Sequence, residues 1–286
     1  MLVLMTVIWG GTFVVIKKGL ADASPFLFLG LRFGLASGCG LVLWFPKLRG
    51  ISSRTLVRGL LLGLFMFIGY GSQTFGLRFT TVAKSSLFTY TFALVTPALQ
   101  YVVARKPLVV GNLVGLLVVF GGMYLFTAPE AGSLNIGDYA TLAGAFVFAF
   151  YIVYLDRYSS EEDPAQLTLI QFFTTTLLAL LCSFLFERPS VRWTANLFVG
   201  IAYLGVMGSV VAIYVMNRFQ KDTTPTKAAV IYALEPVFTV LFGYLILREG
   251  LAPCQILGGL LILAGVVVSE LWAIRRKAFP VKSFPP

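Results

Sequence analysis

Histidine is absent from the 286-residue chain, and Asp and Glu together number only 12. Without imidazole there is no His general base, no His metal ligand and no His proton shuttle. Three cysteines occur, Cys39, Cys182 and Cys254, each isolated inside an apolar stretch. That spacing supports neither a disulfide framework nor a zinc site. Charged residues make up 12% of the chain, where a soluble domain carries about 25%. No Gly-x-x-x-x-Gly-Lys-Ser/Thr phosphate loop and no Gly-x-Ser-x-Gly elbow is present, and no pair of carboxylates falls inside an apolar stretch. ATP hydrolysis and intramembrane catalysis therefore have no residues to carry them. No enzyme activity, metal or cofactor is expected.

Apolar residues dominate instead, at 58%. A soluble fold of this length has too little interior to hide so much apolar surface, so the solvent must be lipid. The net charge of +10 is spread over short connections between apolar runs, with no basic module for nucleic acid. The expected partners are a small-molecule solute and the bilayer.

Stretches of about 18–25 apolar residues are long enough to span as helices. Ten fit: 2–20, 25–45, 57–77, 81–104, 109–127, 137–156, 165–186, 195–218, 226–247 and 251–272. The breaks carry turn residues, among them Ser24-Pro25, Asp163-Pro164, Thr224-Pro225 and Glu249-Gly250. Met1 to Ile16 lacks a basic leader and a cleavage site, and reads as a retained first helix. With the N-terminus inside, the cytoplasmic connections collect 14 of the 22 Lys and Arg residues and the outer ones 7. This bias places both termini in the cytoplasm, although Lys17-Lys18 falls on the outer side. A bacterial inner membrane is the expected location.

The chain repeats itself. At a shift of 143 residues Thr80, Thr81, Lys84, Arg105, Gly115 and Gly122 fall over Thr223, Thr224, Lys227, Arg248, Gly258 and Gly265. At a shift of 139, Phe33 falls over Phe172. The fold class expected is an all-α membrane protein of ten transmembrane helices in two five-helix repeats. The first covers 1–127, a connection 128–136, and the second 137–286. Five spans is an odd number, so the repeats are inverted, an arrangement that places a carrier's substrate site at their interface near the midplane.

The run Trp9-Gly10-Gly11-Thr12-Phe13-x-x-x-Lys17 resembles the first-helix motif of the drug/metabolite transporter superfamily, in its EamA-type branch. Leu31-Arg32-Phe33, the run Thr80 to Ser85 with the later Pro97, and Thr224 to Ala229 with Leu234-Glu235-Pro236 and Glu249 resemble further helices of that family. The resemblance covers nearly the whole chain. It implies a ten-helix inverted-repeat fold, a central cavity lined by the third, fourth, eighth and ninth helices, and transport of metabolites. Amino-acid export is one expectation; exchange of sugar phosphates or nucleotide sugars is the alternative. Glu235-Pro236 departs from symmetry, because its mate is Phe92-Ala93.

Within the apolar runs a few residues stand out. Arg32, seven residues after Pro25, sits about 10 Å deep, and Glu235, nine after Thr226, about 13 Å from the other face. In a core about 30 Å thick this leaves a gap of roughly 7 Å. A charge at such depth is a functional candidate; the structural reading is an ion pair or a charge on backbone carbonyls. Glu235 is also the candidate for proton coupling. Lys84 and Lys227, at the starts of the fourth and ninth helices, either attract an anionic solute or snorkel to headgroups. Tyr70, Gln73, Thr74, Tyr214 and Asn217 place polar groups on the third and eighth helices, where they either line a wet cavity or bond helix to helix. Trp9 with Thr12, Phe88 on the fourth helix and Tyr232 beside Glu235 are candidates to enclose a ligand, against ordinary aromatic packing. The glycines at 115, 122, 258 and 265 mark close-packed or dimer faces, in a monomer or weak homodimer.

Overall fold

The computed structural model describes residues 1–127, 133–242 and 252–278. Among them every regular element is helical, and one isolated bridge, Ala23 to Val191, ties two loops together. The order is α1 (Leu2–Gly10), α2 (Thr12–Gly19), α3 (Pro25–Trp44), α4 (Ser53–Leu77), α5 (Val82–Tyr90), α6 (Phe92–Val102) and α7 (Val110–Thr127). Then follow α8 (Ile136–Tyr158), α9 (Pro164–Phe186), α10 (Ala195–Ala202), α11 (Ala212–Phe219), α12 (Pro225–Tyr232), α13 (Glu235–Phe242) and α14 (Pro253–Ala278). A wide-turned π-helical stretch, Tyr203–Val211, joins α10 to α11. Six continuous stretches are long and apolar enough to cross a membrane: Leu2–Gly19, Pro25–Leu48, Ser53–Leu77, Ile136–Tyr158, Pro164–Phe186 and Ala195–Asp222. Val110–Leu125 and Pro253–Ser269 are shorter apolar helices.

The starts follow local chemistry. Thr81 and Thr224 cap α5 and α12 alike, each hydroxyl accepting from the backbone N–H three residues on, that of Lys84 and that of Lys227. Pro25, Pro164 and Pro225 open α3, α9 and α12, where a missing N–H costs nothing.

The expected spans 81–104 and 226–247 are each two helices. The first breaks at Thr91, whose hydroxyl turns back to the Phe88 carbonyl at 2.6 Å and competes with the helix. The second breaks at Ala233-Leu234, ahead of Pro236, which has no N–H to return to the Tyr232 carbonyl. Residues 243–247 of the ninth span, Arg248, Glu249, Gly250, residues 128–132 of the connection and Lys282 lie outside the described residues.

Polarity is arranged inside out. Leu41, Val42, Leu117, Leu177, Phe184 and Phe198 are exposed on outer faces, while Gln73, Thr74, Gln171, Asn217 and Glu235 are buried. This is the pattern of a bundle whose surface meets hydrocarbon and whose interior must satisfy its own polar groups.

The glycine faces of α7 and α14 close on each other. A Cβ at Gly115 would sit 2.6 Å from the Gly265 carbonyl oxygen, and one at Gly265 the same distance from that of Gly115. Gly122 meets Gly258 in the same way at 2.7 Å. The reciprocal pairing of 115 with 265 and 122 with 258 sets the two helices antiparallel. It spends these faces inside the chain.

At one end of the bundle Asp22 accepts from the Thr194 hydroxyl at 2.7 Å and from the Arg192 guanidinium at 2.6 and 2.9 Å. The hydroxyl and the guanidinium together hold its carboxyl below the usual carboxylate range.

Two outcomes are expected. Gly265→Leu forces a side chain into backbone and should destabilise by about 1–3 kcal/mol, seen as a lower midpoint of thermal unfolding in detergent. Asp22 contributes stability above the ordinary carboxylate range, and the contribution fades as pH falls through its lowered value. Asp22→Asn should therefore lower the midpoint at neutral pH, and the difference from the unaltered protein should shrink on acidification.

Candidate functional site

The breaks of the paired helices converge on one interior cavity. It is lined by Trp9, Thr12, Tyr70, Gln73, Thr89, Tyr90, Phe92, Phe148, Tyr151, Ile152, Met216, Tyr232 and Glu235. Its free space is about 50 Å³, room for a few waters.

Glu235 opens α13 at the break and is 4% exposed. The Tyr90 hydroxyl, at the end of α5, donates a short hydrogen bond to its Oε2. The two broken helices thus meet through one phenol and one carboxylate. Gln73 Nε2 donates to Thr89 Oγ1 at 3.0 Å, tying α4 to α5 beside them. Trp9 stands edge-on to Tyr232, with ring centres 6.1 Å apart, and its Nε1 donates to the Gly208 carbonyl at 3.0 Å. Tyr70 packs edge-on against Phe148 at 5.1 Å.

Arg32 is 1% exposed and lies behind this lining. Its guanidinium carbon is 5.0 Å from the ring centres of both Phe33 and Tyr70. Its Nε donates to Ser209 Oγ at 3.0 Å and its Nη2 to the Gly208 carbonyl at 3.4 Å. The Ser209 hydroxyl in turn donates to the Leu204 carbonyl, five residues back, across the wide turn. Arg32 and Trp9 thus staple the π-helical stretch through the same carbonyl. Among the described residues Arg32 and Glu235 make no direct ion pair, and Nη1 of Arg32 is buried without a hydrogen-bond partner.

Six of the expected site residues line the cavity: Trp9, Thr12, Tyr70, Gln73, Tyr232 and Glu235. Seven do not. Arg32 is off the lining, with its guanidinium against the Tyr70 ring. Thr74 is buried on α4 but off the lining. Tyr214 stacks on Trp44 at 5.0 Å. Asn217 bonds helix to helix, donating to Thr168 at 2.7 Å and accepting from Gln171 at 3.4 Å. The Lys84 ammonium donates to the Ser133 carbonyl at 3.4 Å and stands 3.9 Å from Asp138, at one end of the bundle. Lys227 sits at the start of α12, off the lining. Phe88 is turned off the cavity because α5 ends at Tyr90. A continuous helix would place Phe88 and Phe92 on one face; the break at Thr91 brings Tyr90 and Phe92 to the cavity instead. Tyr90, Thr89, Phe148, Tyr151, Ile152 and Met216 were not among the expected residues. The only sign of Tyr90 in the sequence is a phenol deep in an apolar run.

Polar contacts tie together the helices around the cavity. On one side Tyr232 donates to Gln220 at 2.8 Å, Thr226 donates through N–H and hydroxyl to Gln100 at 2.9 and 2.7 Å, and Lys106 pairs with Asp156 at 2.7 Å. On the other, Lys17 Nζ donates to the carbonyls of Leu77 at 2.5 Å and Thr80 at 2.8 Å. The Thr80 hydroxyl donates to Asp138. Lys17 therefore caps the end of α4.

A helical bundle with apolar outer faces and a polar interior is that of an integral multi-pass membrane protein. The model of the EamA-like transporter family matches residues 1–128 and 135–271, and the chain belongs to that family. An uncharacterized transporter of Archaeoglobus fulgidus is 31% identical over 94% of this chain and 84% of its own length. The uncharacterized inner membrane transporter YedA of Escherichia coli K12 is 27% identical over 96% of this chain and 90% of its own. A probable amino-acid metabolite efflux pump of Salmonella typhimurium is 26% identical, with 96% and 95% covered. A solved crystal structure superposes with a TM-score of 0.79 over 96% of both chains at 21% identity, which establishes the likeness of fold.

Tyr90→Phe removes the donor to a buried carboxylate. It should cost about 1–3 kcal/mol of stability, read as a lowered unfolding midpoint.

Proposed function

We propose that the protein is a secondary active carrier that exports small organic metabolites of the amino-acid or related class by alternating access. The observation that carries this is the junction of two broken helices, through Tyr90 and Glu235, at an interior cavity. Broken helices near the midplane are where carriers of this kind place substrate and coupling ion. In this reading the ten spans form two inverted repeats, 1–127 and 137–286, joined by 128–136. The matched caps at Thr81 and Thr224 and the reciprocal glycine contacts of α7 and α14 support it. Both termini face the cytoplasm, as the charge bias requires. Glu235 takes up and releases the coupling proton as the cavity opens to one side and then the other. Exchange of anionic sugar phosphates finds less support, because among the described residues no lysine or arginine lines the cavity and Lys84 is engaged elsewhere.

Uptake into proteoliposomes should respond to an imposed pH gradient, and Glu235→Gln should reduce the gradient-driven component at least tenfold. Unchanged gradient-driven transport in that variant removes Glu235 as the coupling site. A C-terminal fluorescent fusion should be bright and a C-terminal alkaline phosphatase fusion inactive; the reverse result turns the orientation over.

A further inference from the structure

We propose that Nη1 of Arg32 is the receiving group for a carboxylate on the solute, with Glu235 meeting an ammonium of the same molecule, so that the cavity takes a zwitterion such as an α-amino acid. This rests on the cavity being the solute site, as proposed above, and names the group that reads the acid end.

A guanidinium keeps its charge in a protein, and this one is 1% exposed. Its Nε and Nη2 are spent on the Ser209 hydroxyl and the Gly208 carbonyl, neither of them an anion. The rings of Phe33 and Tyr70, each 5.0 Å from the guanidinium carbon, offset part of the lost hydration. Nη1 is buried with no partner. A buried donor left unmatched is costly, and a charged one more so. A water would satisfy that donor and leave the charge unpaired. A carboxylate satisfies both.

The guanidinium stands at the wall of the cavity. Tyr70, whose ring it packs on, is a lining residue. A Cβ at Gly208 would lie 3.6 Å from Arg32 Nη2 and 3.2 Å from Cγ2 of Thr12, another lining residue, so both side chains come close to one point. Glu235, the one acid on the described lining, interacts with the arginine's charge without bonding to it. An α-amino acid brings an ammonium for the acid and a carboxylate for the guanidinium, and leaves no charge over. An amine without a carboxylate leaves Nη1 unmatched. A phosphate monoester sets up to two negative charges against one guanidinium, with Glu235 nearby. The free space holds only a few waters, and solute pockets are several times larger, so the lining gives way to admit a solute. Tyr70 is the lining residue packed on the guanidinium, and its displacement uncovers the free donor.

Alanine, leucine and phenylalanine, each beside its α-amide, test this on the purified full-length protein at about pH 7, where most of each α-ammonium is charged. The readout is ligand-dependent thermal stabilisation. The amide keeps the shape and the ammonium and removes the anion. Each acid that stabilises the protein should half-saturate at a concentration about tenfold or more below its amide. Arg32→Gln should erase that difference. Arg32→Lys keeps a cation and covers the case in which the glutamine variant does not fold; there the difference should shrink and not vanish. Ser209→Ala removes a brace and keeps the guanidinium, so it should lower the unfolding midpoint and leave the difference in place. An arginine that only braces the helix would lower the midpoint when replaced and leave the selectivity untouched. No stabilisation by any of the three acids, an amide binding as tightly as its acid, an undiminished advantage of the acid in whichever Arg32 variant folds, or phenyl phosphate binding more tightly than phenylalanine each overturns the inference. Flux measurements in proteoliposomes separate it from the carrier reading. Acid-selective binding without flux sinks the carrier and leaves the carboxylate site. Equal flux of acids and amides sinks the carboxylate site and leaves the carrier.

Discussion

Hydrocarbon offers no hydrogen bonds, so each backbone group freed by an interrupted helix must find a partner within the protein. Much of the interior is organised by that demand. The gap between α1 and α2 at Gly11 lies beside the Ile8 carbonyl, which accepts from the Tyr203 hydroxyl at 2.6 Å. The Gly208 carbonyl in the π-helical stretch takes both Trp9 and Arg32. The end of α4 takes Lys17, and the Pro107 carbonyl takes Gln100 at 3.1 Å. Long polar side chains, few in number, are placed where the backbone is irregular.

The irregularities in turn position the site. Because α5 ends at Tyr90 and α13 starts at Glu235, a phenol and a carboxylate from different helices meet inside the bundle. Neither helix could present its polar group there if it ran straight through. The cost of the breaks is met by packing elsewhere, most tightly where the glycines of α7 and α14 let two backbones approach. Polar contacts such as Tyr232–Gln220 and Thr226–Gln100 tie together the helices around the cavity.

The centre is chemically lopsided. Arg32 has Gln171 at its repeat position, and that glutamine accepts from Tyr151 at 2.8 Å and donates to Asn217. One half therefore carries a buried cation that braces a π-helical turn, and the other a neutral amide network. The acid at 235 has Phe92 at its repeat position, and both line the cavity. Matched ends with an unmatched middle are consistent with one scaffold duplicated and then diverged at its centre.

Composition and hydropathy alone determined the membrane class, the helical content and most helix starts, because those depend on local chemistry: apolar length, a capping Thr, a Pro at the first turn. The same reading found Trp9, Tyr70, Gln73, Tyr232 and Glu235, since a polar or amphipathic group in an apolar run is conspicuous wherever it ends up. It missed Tyr90 and misplaced Phe88, because a continuous helical period was carried across Thr91, where a hydroxyl bonded to its own backbone resets the face. It also placed Arg32 and Glu235 by depth alone, roughly 7 Å apart along the membrane normal. Depth along the membrane normal says nothing of the lateral direction in which a side chain points, and the tertiary packing turned Arg32 toward Ser209 and the π-helical stretch. Which polar groups face the cavity and which brace the bundle was decided by helix rotation and by the breaks, and these are set only when all the helices pack together.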